Sequence, residues 1–247
     1  MATTAAVVTV GDELLAGDVE NTNATWLASR LADRGIRVRQ VRVVPDEVAE
    51  IAAAVAELGQ AHTFVVTTGG LGSTPDDVTV DAVAEALERP LEAHPEARAH
   101  VEAAVAKIQE EYPEFDHDVE AGSRYPAGAQ ILPNEAGIAP GCVCGNVYVL
   151  PGIPEEMEAV FDVVAEEFSG DTRSRTAYSQ TPESHLNDLL NEVRERFDVR
   201  VGCYPTPNHR RIRLVSENAD ALAEAYDWLL RQPEIDPQED DSTATSE

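Results

Sequence analysis

VVTTGGLGSTPDDVTVDAVAEAL, residues 65–87, passes from an apolar, β-branched run into an amphipathic helical pattern. Its junction holds three glycines, two adjacent threonines and two adjacent aspartates. A helix N-terminus carries free amides and partial positive charge, and is a natural seat for a phosphate. Two negative side chains at such a seat need a reason. Working outward, the same strand-then-helix unit recurs. AAVVTV (5–10) precedes TNATWLASRLADRG (22–35), a helix with Asn and Thr at its start and Gly35 at its end. IRVRQVRVV (36–44) precedes DEVAEIAAAVAELG (46–59), read as a helix capped by Asp46 and closed by Gly59. TFVVTT (63–68) leads into the quoted stretch. The order β-α-β-α-β-α predicts an α/β fold of three α/β/α layers, with a mostly parallel sheet and right-handed crossovers.

Residues 90–128 are acidic and read as a helical insertion. AQILPNEAGIAPGC (129–142) reads as a hairpin or irregular loop, and VYVLPGIPEEMEAVFDVVAEEF (147–168) as a strand, tight turn and helix. The polar SGDTRSR (169–175) marks the end of a first domain over 1–170. Beyond it a β-α-β-β-α order predicts a small α+β domain over 175–232, with its helices on one sheet face. An acidic, polar tail at 233–247 has the composition of a disordered segment.

The 247 residues carry 46 Asp plus Glu against 18 Lys plus Arg, a formal charge of −28, and Lys107 is the single lysine. Such a chain repels itself at low ionic strength, whereas at molar salt the Debye length falls to about 3 Å. That balance points to the cytoplasm of a halophile. It also argues against a basic nucleic-acid surface. No apolar run reaches the roughly 18 residues of a membrane span, and the N-terminus does not read as a leader. Three cysteines fit a reducing compartment, and Cys142 and Cys144 read as alternating strand residues rather than half a zinc site.

A parallel sheet brings its strand-to-helix loops to one edge, where ligands bind. Four loops converge there: GDELLAGDVENTN (11–23), VPDE (44–47), TTGGLGSTPDD (67–77) and LPGIPEE (150–156). Gly69, Gly70 and Gly72 let backbone amides approach a ligand. Thr74 as N-cap, Pro75 as first helical residue and Asp77 two residues on would approximate a capping box, a purely structural use of the aspartate. The functional alternative follows from charge. A phosphate about 4 Å from a carboxylate meets a repulsion of about 4 kcal/mol at a surface-like dielectric. A divalent cation such as Mg²⁺ between them reverses the sign, with Asp76 and Asp77 as ligands and Asp12 as a further one. Asn21, Thr22 and Asn23 read as caps of the first helix. Ser123, Arg124 and the basic NHRR turn (208–211) have no readable geometry, and His94, His100 and His117 show no metal-ligand spacing. No Walker A loop or nucleophile elbow is present.

TTGGLGSTPDDVT (67–79) closely resembles the MoaB/Mog family of molybdopterin-binding domains, whose signature is T-T-G-G-x-G followed by D-[VL]-T. The first loop and helix (11–36), with NEAGIAPGC and VYVLPGIPEEM, resemble the N-terminal branch of CinA, the competence/damage-inducible protein. The resemblance covers about residues 5–168 and extends into the small domain. Mog-type enzymes adenylylate molybdopterin with ATP and Mg²⁺, using two aspartates that correspond to Asp46 and Asp77. The CinA branch is associated with metal-dependent cleavage of nucleotide diphosphates such as ADP-ribose, and a related eukaryotic domain with FAD hydrolysis. The resemblance thus implies Asp77 and Asp46 as catalytic residues. It implies a phosphate site of Thr68, Gly69, Gly70, Gly72, Ser73 and Thr74, shaped by Gly141 and Gly152. The partner would be a small-molecule nucleotide or pterin, with no nucleic acid or membrane, and the chain would form a homo-oligomer. Three readings follow: a nucleotide-diphosphate pyrophosphatase, a molybdopterin adenylyltransferase, or a non-catalytic pterin or nucleotide-binding module. The VEAGSRYPAGA run (119–129) departs from the CinA pattern. The nicotinamide-mononucleotide deamidase domain of many bacterial relatives is expected to be absent.

Overall fold

The structure, a computed structural model, describes residues 2–236. It divides into two compact units, Thr3–Gly170 and a second beginning at Asp171. In chain order the first contains β1 (Thr4–Val10), α1 (Asp12–Ala16), α2 (Thr22–Asp33), β2 (Arg37–Val44), α3 (Val48–Ala61), β3 (Phe64–Thr68) and α4 (Thr79–Ala86). It continues through β4 (Leu91–Ala93), α5 (Pro95–Glu111), β5 (Arg124–Pro126), β6 (Gln130–Leu132), β7 (Gly141–Cys144), β8 (Val147–Leu150) and α6 (Pro154–Val164). One six-stranded sheet runs β2-β1-β3-β8-β7-β6. Its first four strands are mutually parallel, and β7 is antiparallel to both neighbours.

Strand periodicity splits the core into two layers. Ala6, Val8 and Val10 of β1 pack with Ile51, Val55 and Leu58 of α3 on one face. Ala5 and Val7 pack with Leu27 and Leu31 of α2 and with Met157, Val160 and Phe161 of α6 on the other. Both faces of the central strand are buried, which is why it reads as an unbroken apolar run. The fold is the expected α/β sandwich with a mostly parallel sheet.

Local details differ from expectation. Helix α3 runs through Gly59 to Ala61, and its N-cap is Glu47, without a side-chain bond. Asp46 is not the cap. Helix α4 starts at Thr79, so Thr74, Pro75 and Asp77 sit in a separate turn before it and do not cap it. The 90–128 insertion is helical over α5 and a 3-10 turn at Ala121–Ser123, and its ends pair as the antiparallel ribbon β4–β5. Residues 130–144 are an antiparallel extension of the main sheet. Cys142 and Cys144 are buried on one face of β7, and burial pushes both thiols well above their ordinary range.

The second unit holds β9 (Arg173–Ser179), α7 (Glu183–Arg196), β10 (Arg200–Pro205), β11 (Arg210–Ser216) and α8 (Ala219–Leu229). Its antiparallel sheet runs β10-β11-β9. Ile212 and Leu214 pack on one face against Leu186 and Val193 of α7 and Leu222 and Leu229 of α8. Residues 237–247 of the expected tail lie outside the described residues.

Candidate functional site

The loops after β1, β2, β3 and β8 meet at the C-terminal edge of the parallel strands and enclose a crevice of about 650 Å³. Its floor is built by close backbone approach. Gly69 (φ 105°) and Gly70 (φ 66°) lie in the left-handed half of conformational space. A Cβ on Gly69 would run into the Val10 carbonyl, and one on Gly70 into the Thr79 hydroxyl. Thr79, the first residue of α4, fastens this turn: its hydroxyl donates to the Gly69 carbonyl at 2.8 Å and its amide to that of Gly70 at 3.1 Å.

A second knot joins three loops. The buried Thr68 hydroxyl donates to the Pro151 carbonyl at 2.6 Å, so its oxygen is left to accept from Asn23 Nδ2 at 3.1 Å. The same Asn23 amide donates to the Gly152 carbonyl at 2.7 Å. Gly152 in turn lies against Gly69, whose Cα would be 3.1 Å from an added Cβ. Asn21 does cap α2, accepting from the Ala24 amide at 3.1 Å. Asn23 does not; it ties the site together. The T-T-G-G and P-G stretches drew attention to glycine, whereas the tie between them is an amide side chain one turn into a helix.

The aspartates fall into two groups. Asp46 Oδ2 accepts from the Asp12 amide at 2.9 Å, which fixes it at the crevice mouth. Partial burial raises its carboxyl above the ordinary range against that hydrogen bond, and the charges of Asp12, Glu13 and Asp76 push it further. The loops therefore bring Asp46 and Asp76 within electrostatic reach. Asp77 Oδ2 accepts from the Thr74 amide at 2.9 Å and the Thr74 hydroxyl at 2.6 Å. Hydrogen bonding within this turn, with Thr74 first and then the Asp76 amide, holds the neighbouring Asp76 carboxyl below its ordinary range.

Thr68, Gly69, Gly70, Gly72, Ser73, Asp46, Asp76, Asp77 and Gly152 all face the crevice. Three expected residues do not. Thr74 is behind the wall, bonded to Asp77. Asp12 contributes its amide to Asp46 while Glu13 lines the cavity instead. Gly141 is interior to β7, where a Cβ would meet the Val149 carbonyl at 2.6 Å and Val160 at 2.7 Å, so it is a packing glycine. The insertion supplies one wall, through Val101 and Ile108 of α5 and His117 beyond it.

Six carboxylate residues line the crevice, Glu13, Glu20, Asp46, Asp76, Asp77 and Glu156, and among the described residues no Lys or Arg lines it. Among the described residues no three carboxylate, imidazole or thiol groups form a preassembled metal cage. The donor set nevertheless fits a hard cation of the Mg²⁺ type, which takes one or two carboxylates and completes its octahedron with water and phosphate oxygens. The glycine amides supply donors and the acids supply charge.

The crevice lies at the C-terminal edge of a parallel sheet, with a positive-φ glycine turn in its floor and aspartates at its rim, and comparison with known proteins gives the family. Residues 6–169 match the family described as "Probable molybdopterin binding domain", and the chain belongs to that family. Residues 171–237 match "FAD synthase, middle domain". Within the family the chain is CinA-like. It is 32% identical to the protein CinA from Thermoplasma acidophilum, a crystal structure of unknown function, with a TM-score of 0.62 over 68% of this chain and 99% of that one. It is 32% identical to a CinA-like protein of Parasynechococcus marenigrum across 92% of this chain, and spans 58% of that longer protein. A protein of Archaeoglobus fulgidus is 34% identical over 227 residues, 89% of this chain and 93% of that one. These organisms are diverse, and the match does not carry a halophilic source.

Proposed function

We propose that the chain is a divalent-metal-dependent pyrophosphatase acting on a nucleotide diphosphate of the ADP-ribose type. The observation behind this reading is the pairing, in one crevice, of a positive-φ glycine turn with Asp46, Asp76 and Asp77 and no lining Lys or Arg. Bare diphosphate would be repelled there; a metal-complexed one is not. The amides of Gly70, Gly72 and Ser73 receive phosphate oxygens. Asp76 and Asp77 hold the cation, which when bound neutralises the phosphates and polarises water. Asp46, whose carboxyl binds a proton more readily than usual, accepts the proton of the attacking water as its oxygen bonds to phosphorus. The P–O–P bond breaks, and its electron pair leaves with the second phosphate.

The test is AMP release from ADP-ribose in molar KCl, with Mg²⁺ and with a chelator. Mg²⁺-dependent release supports the reading; absence of release in both overturns it. Membership of the molybdopterin-binding family favours one second reading, ATP-dependent transfer of AMP to molybdopterin, which the same assay detects as AMP-pterin when ATP and pterin replace ADP-ribose. Binding of either ligand without turnover would mark a non-catalytic module. The composition further supports work in a salt-rich, reducing cytoplasm without nucleic acid or membrane as partner, and the family resemblance supports a homo-oligomer.

A further inference from the structure

A second hollow, about 520 Å³, lies beside the crevice and shares Ile108, Ala136 and Gly137 with it. One wall is a face of α5, on which His100, Ala104, Lys107, Ile108 and Glu111 recur at helical spacing. The other is the 134–137 backbone. That loop is fixed in place. Asn134 is 1% exposed, and its amide donates to the Ala139 carbonyl at 2.9 Å and to Glu156 Oε2 at 2.7 Å while its oxygen accepts from the Ala136 amide at 3.2 Å. A Cβ on Gly137 would meet the Glu156 carboxylate, which would have to swing aside and loosen its bond to Asn134. The wall common to both hollows is thus preorganised.

The functional groups of this hollow differ from those of the crevice. His100 bonds to the Asn134 backbone in a way that favours its protonated ring, which makes the ring the donor and the carbonyl the acceptor, while burial lowers the imidazole below its ordinary range. Its Nε2 is buried with no hydrogen-bond partner. That nitrogen is closed to solvent, so the imidazole braces the 134–137 wall rather than meeting a ligand. Glu111 and Glu135 add acceptors. Tyr112, at the end of α5, is 60% exposed and stands at the rim. Ala103 and Ala104 leave a smooth apolar patch beneath it. Lys107, the only lysine of the chain, enters none of the ion pairs formed among the described residues, although Glu111 stands one turn further on.

We propose that this hollow is a second subsite that binds a planar heterocycle bearing N–H donors, the base of the nucleotide whose phosphates the crevice receives. The assignment rests on the pyrophosphatase reading for its phosphates, and on the acceptors, the exposed aromatic edge and the shared wall for its base. An aromatic ring stacked on Tyr112 beside the alanine patch replaces water on a flat surface, and its amine finds an acceptor in the exposed Glu135 carboxylate. The length of α5 between the two hollows makes the insertion the specificity element of the site rather than a cover over it.

Calorimetric titration of adenosine, AMP and inorganic pyrophosphate in molar KCl with Mg²⁺ separates this inference from the reading it rests on. Adenosine carries no phosphate, so it reports on the second hollow alone; pyrophosphate reports on the crevice alone. Tyr112→Ala and Glu135→Gln, both at exposed positions, are expected to weaken adenosine and AMP by about tenfold and leave pyrophosphate unchanged. Purine riboside, which lacks the exocyclic amine, is expected to bind the native chain more weakly than adenosine and to be insensitive to Glu135→Gln. A native chain that ignores adenosine, or variants that bind it as the native chain does, overturn the subsite. Either result leaves Mg²⁺-dependent cleavage of ADP-ribose to stand or fall by its own assay. Adenosine binding that is lost in the variants supports the subsite even if no ADP-ribose is hydrolysed.

Discussion

The two units carry the same number of basic residues in very different surroundings. Residues 3–170 hold 30 acidic and nine basic residues; residues 171–236 hold 12 and nine. In the first unit the acids converge where loops converge, on a crevice with no lining Lys or Arg. In the second, six of the nine arginines lie along strands. Arg211 of β11 stands opposite Tyr178 of β9 and Tyr204 of β10, and its guanidinium lies 5.5 Å over the Tyr204 ring. Cross-strand pairs of this kind stabilise a solvent-facing sheet by about 0.2–1 kcal/mol each and need no ligand. Charge gathered by loops onto one edge makes a site, whereas charge dispersed along a sheet makes a surface.

If the units differ in this way, damage to one core should spare the other's chemistry. Ile212 is fully buried beneath α7 and α8, and Ile212→Ala is expected to cost about 2–5 kcal/mol. Calorimetric unfolding should show the loss in one transition, with pyrophosphate binding to the crevice unchanged. Loss of binding together with the fold of the second unit would break the comparison. Next in size is Asp77→Asn. Thr74 can still bond to the amide oxygen, so the turn persists, while the charge offered to the cation is gone. Turnover should fall about 100-fold with an unaltered circular dichroism spectrum; unchanged turnover removes Asp77 from the mechanism. Smaller again is the effect of salt. Raising KCl from about 0.1 to 2 M screens the −21 of the first unit more than the −3 of the second, so melting temperatures should rise chiefly in the first. Equal shifts would mean that charge imbalance is not what salt relieves.

How much of this could be read from residue order depends on the range of the interaction. The parallel part of the sheet was legible because β1 and β3 are short apolar, β-branched runs and α3 repeats its apolar residues at a period of 3.6, both local signals, whereas residues 129–142 read only as a hairpin or irregular loop. Gly69 and Gly70 were legible for the same reason, since positive φ is a property of a single residue. Helix starts were not: Asp46 and Thr74 have capping chemistry, but Asp46 is claimed by the Asp12 amide 34 residues away and Thr74 by Asp77 in a turn of its own. Gly141 looked like part of a P-G loop, yet pairing with Leu132 and close packing on the Val149 carbonyl decide its place. Asn23 and Glu156 were passed over because their partners, Thr68, Gly152 and Asn134, are 45, 129 and 22 residues distant. No pattern within one helix announces such bonds.

The smallest expected effect is the sharpest test of the acidic crevice. Asp46 is a carboxyl whose burial and whose neighbours Asp12, Glu13 and Asp76 disfavour its charged form in the folded chain, raising it above its ordinary value of 3.8. The folded state therefore binds this proton more readily than the unfolded state. At neutral pH, where both states have lost it, the ionised group costs stability, and the cost disappears as pH falls through the raised value. Asp46→Asn removes that cost and keeps an oxygen to accept from the Asp12 amide. The group is only partly buried, so screening limits the gain, and the variant should melt about 1–3 °C higher at pH 7. The difference should shrink as pH is lowered toward 4, while ADP-ribose cleavage is lost at every pH. A residue whose removal stabilises the fold and stops the reaction is held there for chemistry. A lower melting temperature would instead make the hydrogen bond to Asp12 the reason for its presence, and Asp46 would then be a strut joining the first two loops.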